Sequence, residues 1–454
     1  MRVAVVGAGV AGLVLARRLH LAGVDTTVWE SSPQPGGQLR TLALWGCPVD
    51  VGAEALHLGT PSVARLLDEL GLSGRIVGAE PGSSLLLTRK GLRPLPAGVG
   101  PTGPTRVGPV VSSGILSARG MARAGLEPLF AHRRVDQDIS VGAFIRGRFG
   151  DEVANEFVDP MLGNLHSGDI DALSLSSTAR QLLPMAREGR SLLPPPLAGR
   201  RHRGGGARFG SLPGGLAEFV TALREGLDVR CDSPVLALTP EAGGWLVTTN
   251  QASERVDAVA LACPARVAGA LLEPSFPGLG HQLGIGRTAD VATVVLAYRK
   301  PVAGALADHH GLLLNSRSGH LIKALTNLSR KWPHVRHRDL HLVRASVGRA
   351  GRDDLARLTD AQVVHQVAAE LHDLVGLPAV VTDSHVVRWP AAMPQLEVGH
   401  GERIAAVRAV LAGSAPRGRA PVVLVGAPYD GIGVGSAISA AERCAQEFLT
   451  QDGQ

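Results

Sequence analysis

At 454 residues and 45% hydrophobic content, the chain can bury two or three domain cores, and no apolar run reaches the ~18 residues of a membrane-spanning helix. The net charge of +6 is almost wholly arginine: of 46 Lys and Arg residues only Lys90, Lys300, Lys323 and Lys331 are lysines, the bias of a GC-rich genome, so global charge alone names no anionic partner. Aromatics at 3% argue against a stacking platform for nucleic acid, and Cys47, Cys231, Cys263 and Cys444 show no CxxC, metal or disulfide spacing. A reducing cytoplasm fits those thiols, and because Met1-Arg2 leads straight into a strand, no secretory leader is expected.

Val3 to Val6 read as a buried parallel strand, followed by Gly7-Ala8-Gly9-Val10-Ala11-Gly12. Gly7 permits a tight turn, Gly9 allows backbone N–H groups to approach a pyrophosphate, and Gly12 lets helix pack on strand. A helix over Val10 to Leu21 turns Val10, Leu13, Val14, Ala16 and Leu19 inward, and its N-terminus favours phosphate. Thr26 to Trp29 form a second strand, ending at Glu30, where a carboxylate can accept both ribose hydroxyls; Ser31 follows it. The arrangement is a dinucleotide-binding unit. Gly36-Gly37-Gln38 and Arg40 supply another close backbone approach and a phosphate partner, ahead of Val49 to Ala55.

Pro61 to Leu72 read as a helix closed at Gly71, residues 81–114 as strands and loops covering a site rather than forming a core, and 139–158 as helical. The stretch 184–208, with Pro194-Pro195-Pro196 and Arg200 to Arg203, reads as a surface loop. Strands follow at Val229–Cys231, Pro234–Leu238, Gly244–Thr249 and Ala258–Ala262, then at 289–300, 320–327, 340–347 and 380–388, with a helix over Asp360–Leu374. Val422 to Ala427 form a last buried strand, and Asp430 to Gly435 open a last helix. The fold class is α/β: a discontinuous Rossmann-like nucleotide domain (1–80, 209–265, 395–454) with a helical and lid insertion (81–208) and a substrate-binding sheet domain (266–394).

Several stretches together resemble a known family. The opening glycines with Glu30, the Gly36-Gly37 pair, and Gly426 to Val434 are similar to the flavin amine oxidase superfamily. Gly168-Asp169 with Leu173-Ser174-Leu175 resembles SGIYAGD…LSL, Phe209 to Leu216 resembles FxSLxGGL, and Arg388-Trp389 through Ala392-Met393-Pro394-Gln395, Gly399-His400 and Arg403-Ile404 resembles RW…AMPQY…GH..RI. These narrow the likeness to the FAD-dependent coproporphyrinogen III oxidase and protoporphyrinogen oxidase family.

The resemblance implies FAD as cofactor, a tetrapyrrole (coproporphyrinogen III) as substrate and molecular oxygen as acceptor, giving hydrogen peroxide in haem biosynthesis. It implies no nucleic acid or metal and no dedicated catalytic side chain, and is compatible with contact to a membrane surface or a downstream haem-pathway enzyme. Gly7 to Gly12 would hold the pyrophosphate, Glu30 the ribose, and Gly37, Gln38 and Arg40 the phosphates and flavin. Gly52, Ala53, Glu54 and Ala55 would line the isoalloxazine, Val235 would meet adenine through its backbone, and Trp389, Ile432, Gly433 and Val434 would flank the flavin. Leu165 and His166 would bind substrate, His166 either orienting it or replacing an aromatic wall; it stands where the family usually has Tyr or Phe, and Leu396 where the family has Tyr. Arg93, Arg106, Arg119 and the Arg200-to-Arg208 stretch are the arginines expected near propionates. Other readings are a protoporphyrinogen oxidase, a flavin amine oxidase or carotenoid desaturase, and a catalytically idle FAD-binding protein or membrane-surface module.

Overall fold

The structure, a computed structural model, describes residues 1–193, 209–413 and 420–452. It divides into two units: Met1–Gly78, Ala207–Gly286 and His400–Gln454 form one, Ala79–Gly206 and Arg287–Gly399 the other. Residues 266–286, expected with the sheet over 266–394, thus cluster with the first unit. The helical insertion and that sheet form one unit, not two domains.

In the first unit, five parallel strands are ordered Asp228–Arg230, Asp25–Trp29, Arg2–Val6, Ala258–Leu261, Val422–Leu424. Parallel strands covered on both faces need apolar residues at every position, which is why these segments do not alternate. Val3 and Val5 enter one core with Leu13, Ile438 and Phe448; Ala4 and Val6 enter another with Trp245, Ile404 and Val407. The helix Val10–Leu21 lies close over its strand because a Cβ on Gly12 would sit 2.0 Å from the Gly7 carbonyl oxygen.

Asp50 explains the FxSLxGGL stretch. Its buried carboxylate accepts the Ser211 hydroxyl at 3.1 Å, the Leu216 N–H at 2.9 Å and the Thr41 hydroxyl at 2.5 Å. Gly215, at φ +78°, makes the turn that brings Leu216 to Asp50, so distant segments are tied to one buried acid.

The second unit holds a seven-stranded sheet, ordered Asp383–Pro394, Thr288–Arg299, Leu340–Val347, Ile322–Asn327, Gly311–Leu314, Ser84–Thr88, Gly91–Pro94. Only the Gly311–Leu314/Ser84–Thr88 pair is parallel. Residues 81–114 are therefore not merely a cover. Leu85 packs with the core under the helix Asp360–Val375, while Leu86 faces the helical core containing Phe144 and Phe157. The edge strand runs beyond 388 through Pro390, which an outer strand tolerates because its free side needs no N–H. There the pairing is irregular, and the Asp290 carboxylate accepts the Ala391 N–H at 2.7 Å.

The helix expected over 139–158 is Val141–Phe149 and Asp151–Val153, continuing as a π-helix over Ala154–Gly163 that encloses Pro160. Pro160 has no N–H to give, and wider turns accommodate it. This π-helix delivers Asn164-Leu165-His166.

Gly12→Ala is expected to destabilise the protein by about 1–3 kcal/mol, because backbone oxygen cannot move aside. Thermal unfolding checks this; a Tm within error of the wild type contradicts the packing account.

Candidate functional site

The candidate nucleotide site lies at the ends of the parallel strands. Gly7, at φ +105°, donates its N–H to the Trp29 carbonyl at 2.7 Å, and Gly9, in extended geometry, caps the first helix without a side chain. The first-turn amides of that helix lack intrahelical acceptors and point where an anion would sit. A Cβ on Gly9 would meet nothing within 4 Å, so the open space at the helix start is left by the glycine itself.

Glu30 lies immediately beside this turn. Its buried carboxylate accepts the Ala8 N–H at 2.8 Å and the Ser32 N–H at 2.9 Å, fixing both the glycine turn and the chain beyond the second strand. The Ser233 N–H donates to the Glu30 carbonyl at 2.9 Å, which sets Val235, the first residue of the strand Val235–Glu241, nearby in the chain. Ser31 is exposed.

The Gly36 N–H donates to the Ala8 carbonyl at 2.7 Å, and a Cβ on Gly37 would lie 3.3 Å from the Gly9 Cα. Gln38 accepts the Ala53 N–H at 2.8 Å and Arg40 the Val51 N–H at 2.9 Å through their carbonyls. A side chain on Gly52 would strike the Gln38 oxygen. Gly7 to Gly12, Gly37 to Arg40 and Gly52 to Ala55 are thus drawn into one surface. Gly37, Gln38 and Arg40 are exposed, while Ala53, Glu54 and Ala55 are half-buried.

Ile432 and Gly433 precede the last helix, which starts at Val434; Gly433 takes φ +104° with nothing within 4 Å of its absent Cβ. A Cβ on Gly426 would lie 3.4 Å from the Ala11 Cβ, which sets this element beside the glycine-turn helix. Buried carboxylate, open glycines and free helix amides fit an adenine dinucleotide. Cys444 is buried and its thiol is pushed up to about 12 by desolvation, so it is a packed thiol and a poor nucleophile.

Trp389, Leu165 and His166 belong to the second unit. Trp389 is half-buried and pairs with Val291. Leu165 is 55% exposed, whereas His166 is 3% exposed, with desolvation holding its imidazole down to about 4, hence neutral. The two substrate candidates therefore differ: Leu165 presents its side chain to the surface and His166 does not. Gln395 donates to the His166 carbonyl at 3.0 Å, giving that motif glutamine a role in the same turn. Asp169 closes a local turn by accepting the Asp171 N–H at 2.9 Å. Arg93, Arg106 and Arg119 are exposed; Arg200, Arg201, Arg203 and Arg208 lie outside the described residues.

Residues 10–449 match the model of the flavin containing amine oxidoreductases. The chain belongs to that family. Two curated members of similar length are coproporphyrinogen III oxidases: that of Bacillus subtilis (strain 168) is 29% identical, with 99% of this chain and 98% of the relative covered. That of Mycobacterium tuberculosis (strain ATCC 25618 / H37Rv) is 31% identical, covering 98% and 96%. A solved structure of a proposed protoporphyrinogen oxidase from Exiguobacterium superposes with a TM-score of 0.84 at 25% identity, over 99% of both chains. Within the flavin containing amine oxidoreductases, the protein is of the coproporphyrinogen and protoporphyrinogen oxidase group, and so an oxidoreductase.

Sequence reasoning passed over Asp50, Asn164, Ser167 and Lys323. No pattern in the neighbouring residues marks them; each shows itself only through its partners in the fold.

Glu30→Gln keeps an oxygen for the Ala8 N–H, but removes the charge and turns an amide NH2 toward the Ser32 N–H. We expect the fold to hold and FAD affinity to drop by about 1.5–3 kcal/mol, roughly 10- to 150-fold in Kd. Titrating the flavin-free variant with FAD checks this, and an unchanged Kd contradicts the ribose role.

Proposed function

We propose that the protein is an FAD-dependent coproporphyrinogen III oxidase, converting coproporphyrinogen III to coproporphyrin III with oxygen as acceptor and hydrogen peroxide as by-product. The observation that carries the cofactor is the buried Glu30 carboxylate locked onto the glycine turn at Ala8, beside a helix start with no side chain in the way. Gly7 to Gly12, Glu30, Ser31, Gly37, Gln38, Arg40, Gly52 to Ala55, Val235 and Ile432 to Val434 would hold the FAD. When bound, FAD supplies a two-electron acceptor that oxygen can regenerate.

The residues of the chain orient and bind. The first-turn amides neutralise phosphate charge, and Arg40 would add a cation. Leu165 offers an apolar edge to the macrocycle. His166, being neutral and buried, is a wall or hydrogen-bonding group rather than a cation. Substrate choice rests on the full-length likeness to proteins named coproporphyrinogen III oxidase and on exposed Arg93, Arg106 and Arg119 in the substrate unit.

Coproporphyrinogen III carries two more propionates than protoporphyrinogen IX. If each gains about 0.5–1 kcal/mol from exposed arginines, kcat/KM for the former should exceed that for the latter by about five- to thirty-fold. Salt should narrow the gap by screening. Porphyrin fluorescence growth with both substrates at low and high ionic strength measures it. Equal efficiencies, or a preference for protoporphyrinogen, overturn the assignment in favour of protoporphyrinogen oxidase.

A further inference from the structure

Behind Leu165 and His166 lies a buried polar cluster that the proposed chemistry does not use. Ser167, 1% exposed, adopts a left-handed backbone at φ +51°, unusual for a residue with a Cβ. Its hydroxyl is held by the Lys323 amine, itself buried and without a carboxylate partner among the described residues. The pairing of the strand Ile322–Asn327 with Leu340–Val347 is irregular between Ile322 and Ala324, so Lys323 stands at the irregularity. Such irregularities re-aim a side chain.

The same turn is tied to Lys323 a second time. The Asn164 amide donates to the Lys323 carbonyl at 2.7 Å and to the Leu314 carbonyl at 2.9 Å. Ala350 donates its N–H to the Ser167 carbonyl at 2.7 Å. The turn Asn164–Ser167 is thus fixed at both ends: at Asn164 by backbone carbonyls that any residue at position 323 would supply, and at Ser167 by the Lys323 side chain and the Ala350 N–H.

We propose that Lys323 is a positioning residue for substrate binding: through Ser167 it holds the turn that carries Leu165 and His166. The inference rests on the proposed placement of substrate at Leu165 and His166. A lysine is suited to this place because, unlike arginine, it can shed its charge when buried.

The charged groups around it point the same way. Arg344 and Arg349 both disfavour a second cation, and desolvation with these two guanidiniums brings the amine down to about 7. His166 is neutral, and Asp159, raised by desolvation, accepts the Ser316 N–H and faces Arg349, with Asp169 as a further neighbour; the amine has no counter-ion among them. Above neutrality the uncharged amine sits in the turn without penalty. Below it, a further cation beside the buried Arg349 and the half-buried Arg344 should drive the turn open.

The test uses the FAD-loaded protein as wild type, K323M, K323R and S167G. If only the neutral form is competent, KM for coproporphyrinogen III should climb about tenfold from about pH 8 to about pH 6, with kcat changing less. K323M should flatten that profile, K323R should show the high KM at every pH, and S167G, which takes the left-handed turn freely, should lower the KM of K323M in the double variant. A wild-type pH profile in K323M, or no rescue by S167G, overturns the proposal. Thermal unfolding gives a readout independent of activity. The folded amine releases its proton at about 7 and the unfolded one near its ordinary 10.5, so wild-type stability should rise relative to K323M as pH increases between those values. A Tm difference that does not vary with pH overturns the proposal, even if the wild type oxidises neither porphyrinogen and the functional assignment itself falls. If K323M fails to fold, S167G alone decides: it should flatten the KM profile, and a retained profile overturns the proposal.

Discussion

The hydrogen bond from the Ala8 N–H to the Glu30 carboxylate joins what the first unit is built to bring together. One partner is the turn after the first strand, the other the end of the second. Both strands are parallel and register-locked from Arg2↔Asp25 to Val6↔Trp29, so the carboxylate arrives at the turn without any choice of loop conformation. The carbonyl of Ala8 then takes the Gly36 N–H, and that of Glu30 the Ser233 N–H. Leaving that buried donor without an acceptor would cost about 1–3 kcal/mol and loosen three chain segments together.

Much of this unit was legible because its constraints are local or periodic. The helix Val10–Leu21 is bounded by glycine requirements that a sequence displays, and the helix Asp360–Val375 by the Thr359/Gln362 capping box and the left-handed Gly376. Where constraints are long-range, the sequence was less informative. Leu85 and Leu86 sit among glycine and proline and resemble loop residues, yet they enter two different cores. Nothing near Pro390 signals that its strand continues, since what permits it is an edge position and the carboxylate of Asp290 on another strand.

The candidate site divides along the same line. Gly7, Gly9, Gly12 and Glu30 could be found from spacing, because a phosphate-binding turn dictates it. Leu165 and His166 came only through resemblance, and the structure separates them by burial. Asp50 and Lys323 were silent, since an acid accepting from Thr41, Ser211 and Leu216, or an amine meeting Ser167, leaves no pattern in neighbouring residues. Ser211 and Gly215 are thereby scaffolding for the first unit rather than participants in chemistry.

The central claim is that a flavin held by the first unit takes electrons from a porphyrinogen. Anaerobic mixing of the FAD-loaded protein with coproporphyrinogen III tests it most directly. The account predicts that oxidised-flavin absorbance bleaches on mixing and returns when oxygen is admitted, with peroxide formed. Flavin that stays oxidised with porphyrinogen, yet bleaches with a primary amine, would contradict it.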